Sequence, residues 1–106
     1  MTKLLLGPIR AESRLFAPKY AENDYSAEPE AFASQATWCC DKLGLDYSKV
    51  NPRGGAIALG HPLGCTGARM VATLLSELKR TNGKYGVISM CIGTGMGAAC
   101  LIERCN

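Results

Sequence analysis

Two residues of this sequence stand in settings that suit proton chemistry. His61, the sole histidine, lies between Gly60 and Pro62, with Gly64 close behind. A tight, rigid turn of that kind aims an imidazole outward, where it can transfer a proton or donate a hydrogen bond. Cys91 closes an apolar run and is followed by Gly93, Gly95 and Gly97. A thiol at a strand end beside a glycine loop is open to substrate, and the loop's free backbone N–H groups can stabilise an oxyanion. Taken singly, each residue also suits a structural role: a lone turn histidine, and a small buried thiol beside a bulge.

Several other chemistries fail on spacing. Gly93 to Gly97 reads G-x-G-x-G, lacks the third glycine of a dinucleotide fingerprint and leads into a strand. Gly60 to Gly67 has no Lys-Ser/Thr after it, so no phosphate-binding P-loop is present. No G-x-S-x-G segment supports a serine nucleophile. Zinc is disfavoured because no C-x-x-C pair exists and His61 has no second histidine to join it. Six cysteines raise the question of a secreted disulfide scaffold. Cys39 and Cys40 are adjacent and several others lie inside apolar runs, so reduced, mostly buried thiols in an intracellular protein are expected.

The elements that must position His61 and Cys91 are legible from periodicity. Phe32, Ala36, Cys39, Cys40 and Leu43 make one helical face, with Pro29 at the first helical position, Glu30 at the positive end and Gly44 as the stop. Val71, Leu74, Leu75 and Leu78 make a second stripe. Thr66 is expected to cap that helix, Asn82-Gly83 to end it, and Lys79 and Arg80 to complement its dipole. Between the helices, five glycines and two prolines over residues 51–67 set backbone shape. Residues 85–90 and 98–103 read as strands, joined by the seven-residue link 91–97 and hence antiparallel neighbours. Residues 1–28 read poorly: Leu4-Leu5-Leu6 suits a short strand ended by Gly7-Pro8, and Ile9 to Tyr25 is expected to be irregular with at most one helical turn.

Length and composition bound the rest. A chain of 106 residues is one domain at most and buries about 65% of its unfolded surface, a thin core. Hydrophobic residues at 47% exclude a disordered chain, and no run of about 18 apolar residues exists to span a membrane. The net charge of +3 comes from scattered Lys and Arg with few aromatics. That pattern argues against nucleic-acid binding and is compatible with a polyanionic, nucleotide-bearing small molecule.

Taken together, the two glycine loops resemble the thiolase family. Asn51-Pro-Arg-Gly-Gly-Ala-Ile-Ala-Leu-Gly-His-Pro-Leu-Gly-Cys-Thr-Gly-Ala-Arg69 is similar to the family's Gly-His-Pro signature. Cys91-Ile-Gly-Thr-Gly-Met-Gly-Ala-Ala99 is similar to its Cys-x-Gly signature, and Glu30-Ala-Phe-Ala-Ser-Gln35 resembles its Asn-Glu-Ala-Phe helix start. The wording around Cys91 resembles the peroxisomal 3-ketoacyl-CoA branch. The resemblance covers residues 29–106, read as a segment of the thiolase C-terminal domain, and leaves 1–28 as a divergent segment.

The resemblance implies an α/β fold, a mixed sheet with covering helices. It implies that His61 helps activate the family's nucleophilic cysteine and donates into one oxyanion hole. Cys91 would be the acid/base cysteine, and the backbone N–H of Gly93 would belong to the other oxyanion hole. The implied reaction is thiolytic cleavage of a 3-ketoacyl-CoA in fatty-acid β-oxidation, with coenzyme A as co-substrate and no covalently bound cofactor. A peroxisomal location, with the cytoplasm as alternative, and a homo- or heterodimer are implied as well.

Two positions depart from the pattern: Pro29 stands where the family has an asparagine that holds a water, and no Cys-Ser-Ser-Gly-like nucleophile segment is present. The expectation is therefore a C-terminal catalytic portion that needs an N-terminal thiolase domain before it acts on acyl-CoA. The alternative is a non-catalytic thiolase-like module that binds acyl-CoA or a thiolase subunit.

Overall fold

A computed structural model describes residues 2–6, 25–27 and 32–105, the first two segments as backbone pairing only. The elements run β1 (Thr2–Leu6), β2 (Tyr25–Ala27), α1 (Ala33–Leu43), a 3-10 turn (Tyr47–Lys49), α2 (Ala56–Leu59), α3 (Thr66–Thr81), β3 (Tyr85–Gly93) and β4 (Met96–Arg104). The strands form one mixed sheet in the order β1-β4-β3-β2. β4 is antiparallel to both β1 and β3, whereas β2 runs parallel to β3. The chain is thus α/β, with a mixed sheet covered by helix as expected. The Leu4–Leu6 strand is present within β1. Pro29, Glu30 and most of segment 1–28 lie outside the described residues.

The core forms where α3 lies on β3, β2 and β4. Met70, Leu74 and Leu78 recur at four-residue intervals and are buried, with Val71 and Leu75 packed beside them. Across from them, the paired positions Ile88 and Cys100, and Gly86 and Ile102, face the helix. Full burial of a leucine such as Leu78, at 0% exposure, contributes roughly 2 kcal/mol. Gly86 is required by the close approach: a Cβ there would stand 2.7 Å from both methyl carbons of Leu74. Asn82 ends α3 in the left-handed conformation at φ 57°, as its position predicts. Arg104 then clips the following loop, donating from Nη2 to Asn82 Oδ1 and from Nε to Gly83 O.

Four local expectations change. Phe32 is not inside α1; it is the extended N-cap residue, 70% exposed, and accepts the first helical bond from Ala36 N–H. The rest of the stripe holds, with Cys40 buried and Ala36, Cys39 and Leu43 half-buried, and Gly44 at φ 64° stops the helix. Thr66 is the first residue of α3 rather than its cap, a place taken by Cys65 without a side-chain bond. The glycine-rich span 51–67 contains one turn of helix, α2. Finally, the link between the strands is not seven residues long. β3 continues through Cys91 to Gly93, and Thr94-Gly95 alone reverse the chain. Both turn residues have positive φ, 49° and 77°, the twist that a two-residue hairpin needs.

Candidate active site

His61 and Cys91 come from different elements, 30 residues apart in sequence, and meet in space. Gly60 takes φ 90°, which lets the chain leave α2 sharply and present the histidine. Pro62 follows, and its carbonyl accepts the N–H groups of Cys65 at 2.8 Å and Thr66 at 2.9 Å, tying the turn to the start of α3. His61 Nδ1 lies 2.7 Å from Thr66 Oγ1, and the Thr66 hydroxyl donates to the Pro62 carbonyl at 2.9 Å. The other ring nitrogen, Nε2, lies 3.6 Å from Cys91 Sγ. A sulfur–nitrogen contact of that length allows proton exchange between thiol and imidazole.

Cys91 sits at an irregular point of the hairpin. It pairs with Gly97, and Gly93 pairs with Met96, so Ile92 is the extra residue of a β-bulge. A bulge beside a reactive side chain re-aims that side chain. Gly93 takes φ 138°, a conformation that favours glycine, and the direction in which a Cβ would point is open space. Residues 91–98 are exposed, and so are Ile57, Leu59 and Leu63 around the histidine turn. Only Cys40 and Cys100 of the six cysteines are buried, fewer than the apolar context predicts; Cys65 and Cys91 are exposed, and none of the six is in a disulfide.

A second tie holds the far end of the histidine loop. Arg53 Nε donates to Glu77 Oε2 at 2.6 Å, and Arg80 Nη2 donates to Oε1 of the same carboxylate. Glu77 is 2% exposed on α3, while both guanidinium groups are largely exposed. The Arg80 hydrogen bond, seconded by that of Arg53, pulls the Glu77 carboxyl down from 4.5 to about 2 against the opposing effect of burial. Sequence reasoning passed over both Thr66's contact with His61 and the Glu77 clamp. A signal existed for Glu77: it falls three residues after Leu74 on the apolar stripe, where a charge must find partners. Among the described residues no group of three or more His, Cys, Asp or Glu is placed to hold a metal, and no helix is long and apolar enough to cross a membrane.

An imidazole carried by a glycine turn and a thiol at a bulged strand end thus lie 3.6 Å apart. The chain belongs to the thiolase family: the model of the family's C-terminal domain (Thiolase, C-terminal domain) matches residues 2–104. It is 72% identical over 75 residues to mouse 3-ketoacyl-CoA thiolase B, peroxisomal, a match covering 70% of this chain and 18% of that protein. Baker's yeast peroxisomal 3-ketoacyl-CoA thiolase is likewise 72% identical over 75 residues, covering 71% of this chain and 18% of the relative. The solved structure of the yeast enzyme, described as a five-layered structure built from two core domains of identical topology, superimposes with a TM-score of 0.70 and 64% identity. That match covers 76% of this chain and 23% of the other. The chain thus spans about a fifth of the length of the curated relatives it matches.

Proposed function

We propose that this chain is the acid/base portion of a peroxisomal 3-ketoacyl-CoA thiolase, acting on acyl-CoA as part of a complete thiolase with coenzyme A as co-substrate. The 3.6 Å approach of His61 Nε2 to Cys91 Sγ carries the reading. In the cleavage direction, the Cys91 thiol protonates the carbon that leaves as the acetyl-CoA enolate. The resulting thiolate then takes the proton of the incoming coenzyme A thiol. A thiol suits this exchange because the group it deprotonates, the coenzyme A thiol, is of the same chemical kind, so the proton moves between near-matched partners. His61 exchanges a proton with Cys91 through Nε2 and, while that proton is on Nε2, donates to the oxyanion site for the thioester carbonyl; the backbone N–H of Gly93 serves the second oxyanion site. The acyl-accepting nucleophile comes from the N-terminal thiolase domain, and a second thiolase chain is the natural dimer partner.

The test is a chimera in which residues 32–105 replace the matching segment of the yeast relative. It should cleave acetoacetyl-CoA, and Cys91→Ala should lower the rate by roughly 10²–10⁴-fold, the usual worth of a general acid–base group. An active chimera indifferent to Cys91→Ala sinks the proposal. A non-catalytic acyl-CoA-binding module is the second reading, favoured by Pro29 at the family's asparagine position. Extending the graft to residue 29 decides it: activity lost with Pro29 and regained with Pro29→Asn supports that reading.

A further inference from the structure

We infer that Thr66 is a positioning residue that holds His61 in its Nδ1-protonated form and so turns the Nε2 lone pair toward Cys91. Thr66 is wholly buried at 0% exposure, so its hydroxyl cannot turn to solvent for another partner. A carbonyl oxygen only accepts, so the 2.9 Å bond to Pro62 O consumes the hydroxyl proton. Toward His61 the same oxygen is then an acceptor, and the 2.7 Å contact requires a proton on Nδ1. A neutral imidazole carries one N–H, which leaves Nε2 bare, 3.6 Å from Cys91 Sγ.

An unconstrained histidine favours the opposite, Nε2-protonated tautomer, so the arrangement is imposed by the protein. The imposition comes from the fold: Thr66 opens α3, and Pro62 fixes the turn that carries the ring. Thr66 touches no reacting atom. Its effect reaches Cys91 only through the imidazole.

The inference rests on the reading that His61 and Cys91 exchange a proton, yet its main readout is independent of turnover. Because His61 is the sole histidine, long-range proton–nitrogen correlation spectra of the labelled chain, recorded on the neutral imidazole at alkaline pH, report its tautomer without ambiguity. We expect the Nδ1–H pattern in the unaltered chain, a shift toward Nε2–H in Thr66→Val, and recovery in Thr66→Ser. Iodoacetamide labelling, read at each cysteine by mass spectrometry, should slow about tenfold at Cys91 in Thr66→Val near neutral pH, with a displaced pH profile. Thr66→Ser should stay within about twofold.

An Nε2–H tautomer in the unaltered chain overturns the inference. So does a Thr66→Val chain that keeps the Nδ1–H form and the Cys91 rate. Should Thr66→Val fail to fold, the unaltered chain and Thr66→Ser still decide the matter. The expected tautomer together with a chimera indifferent to Cys91→Ala would sink the thiolase assignment and leave the positioning role standing.

Discussion

The half of the β3–β4 hairpin nearest its open end lies under α3, with Gly86, Ile88, Cys100 and Ile102 buried; the half nearest the turn, from Cys91 to Ala98, is exposed throughout. One antiparallel ladder runs through both, so the packed half fixes the geometry of the open half without covering it. The two cysteines of the ladder make the contrast chemical. Burial pushes the Cys100 thiol up, because a thiolate would lose its hydration there. Cys91 is held by the same sheet at a point open to water. The lesson is that rigidity and accessibility, which compete within a core, are obtained together by letting a strand overrun the helix that packs it.

The comparison can be broken most forcefully in the packed half. Gly86→Ala places a methyl against buried Leu74, and we expect a loss of about 2 kcal/mol in urea unfolding. An unchanged midpoint would mean that the helix does not press on the strand as described. A smaller effect is expected at the helix's buried charge. The Glu77 carboxyl is lowered in the folded state, so its contribution is complete above its ordinary 4.5 and fades as pH falls from there to about 2. Glu77→Gln should cost roughly 1 kcal/mol at neutral pH, since its guanidinium partners are half in water, and should flatten the acid dependence of the urea midpoint. An acid dependence equally steep in the variant refutes the clamp. The finest comparison sets Cys100→Ser beside Cys91→Ser. The buried hydroxyl should cost about 1 kcal/mol, and the exposed one should stay within about 0.5 kcal/mol. Equal costs would erase the distinction between the two halves.

Much of this arrangement is legible in the residues. The Val71–Leu78 stripe, the stops at Gly44 and Asn82 and the antiparallel pairing of β3 with β4 follow from local pattern, whereas His61 and Cys91 stand out only when their loops are set beside the thiolase signatures. What escapes local pattern has physical causes. The glycines after Cys91 read as a loop, yet a bulge at Ile92 and a tight turn at Thr94-Gly95 absorb them into the hairpin. β2 pairs in parallel with a strand far along the chain, a contact that no local periodicity announces. Thr66 looks like a cap because threonine often is one; its hydroxyl instead turns back to Pro62, as threonine at a helix start can when a carbonyl lies within reach.

The pairing of β1 with β4 has a kinetic consequence. Thr2 meets Arg104 and Leu6 meets Cys100, so joining these strands closes a loop of about a hundred residues, whereas the β3–β4 hairpin closes over two. The hairpin and its helix should therefore assemble first, and β4 should wait with one flank unpaired until the distant strand arrives. During that interval the open flank is where a second copy of the chain would add by mistake, and where slow refolding and aggregation should begin.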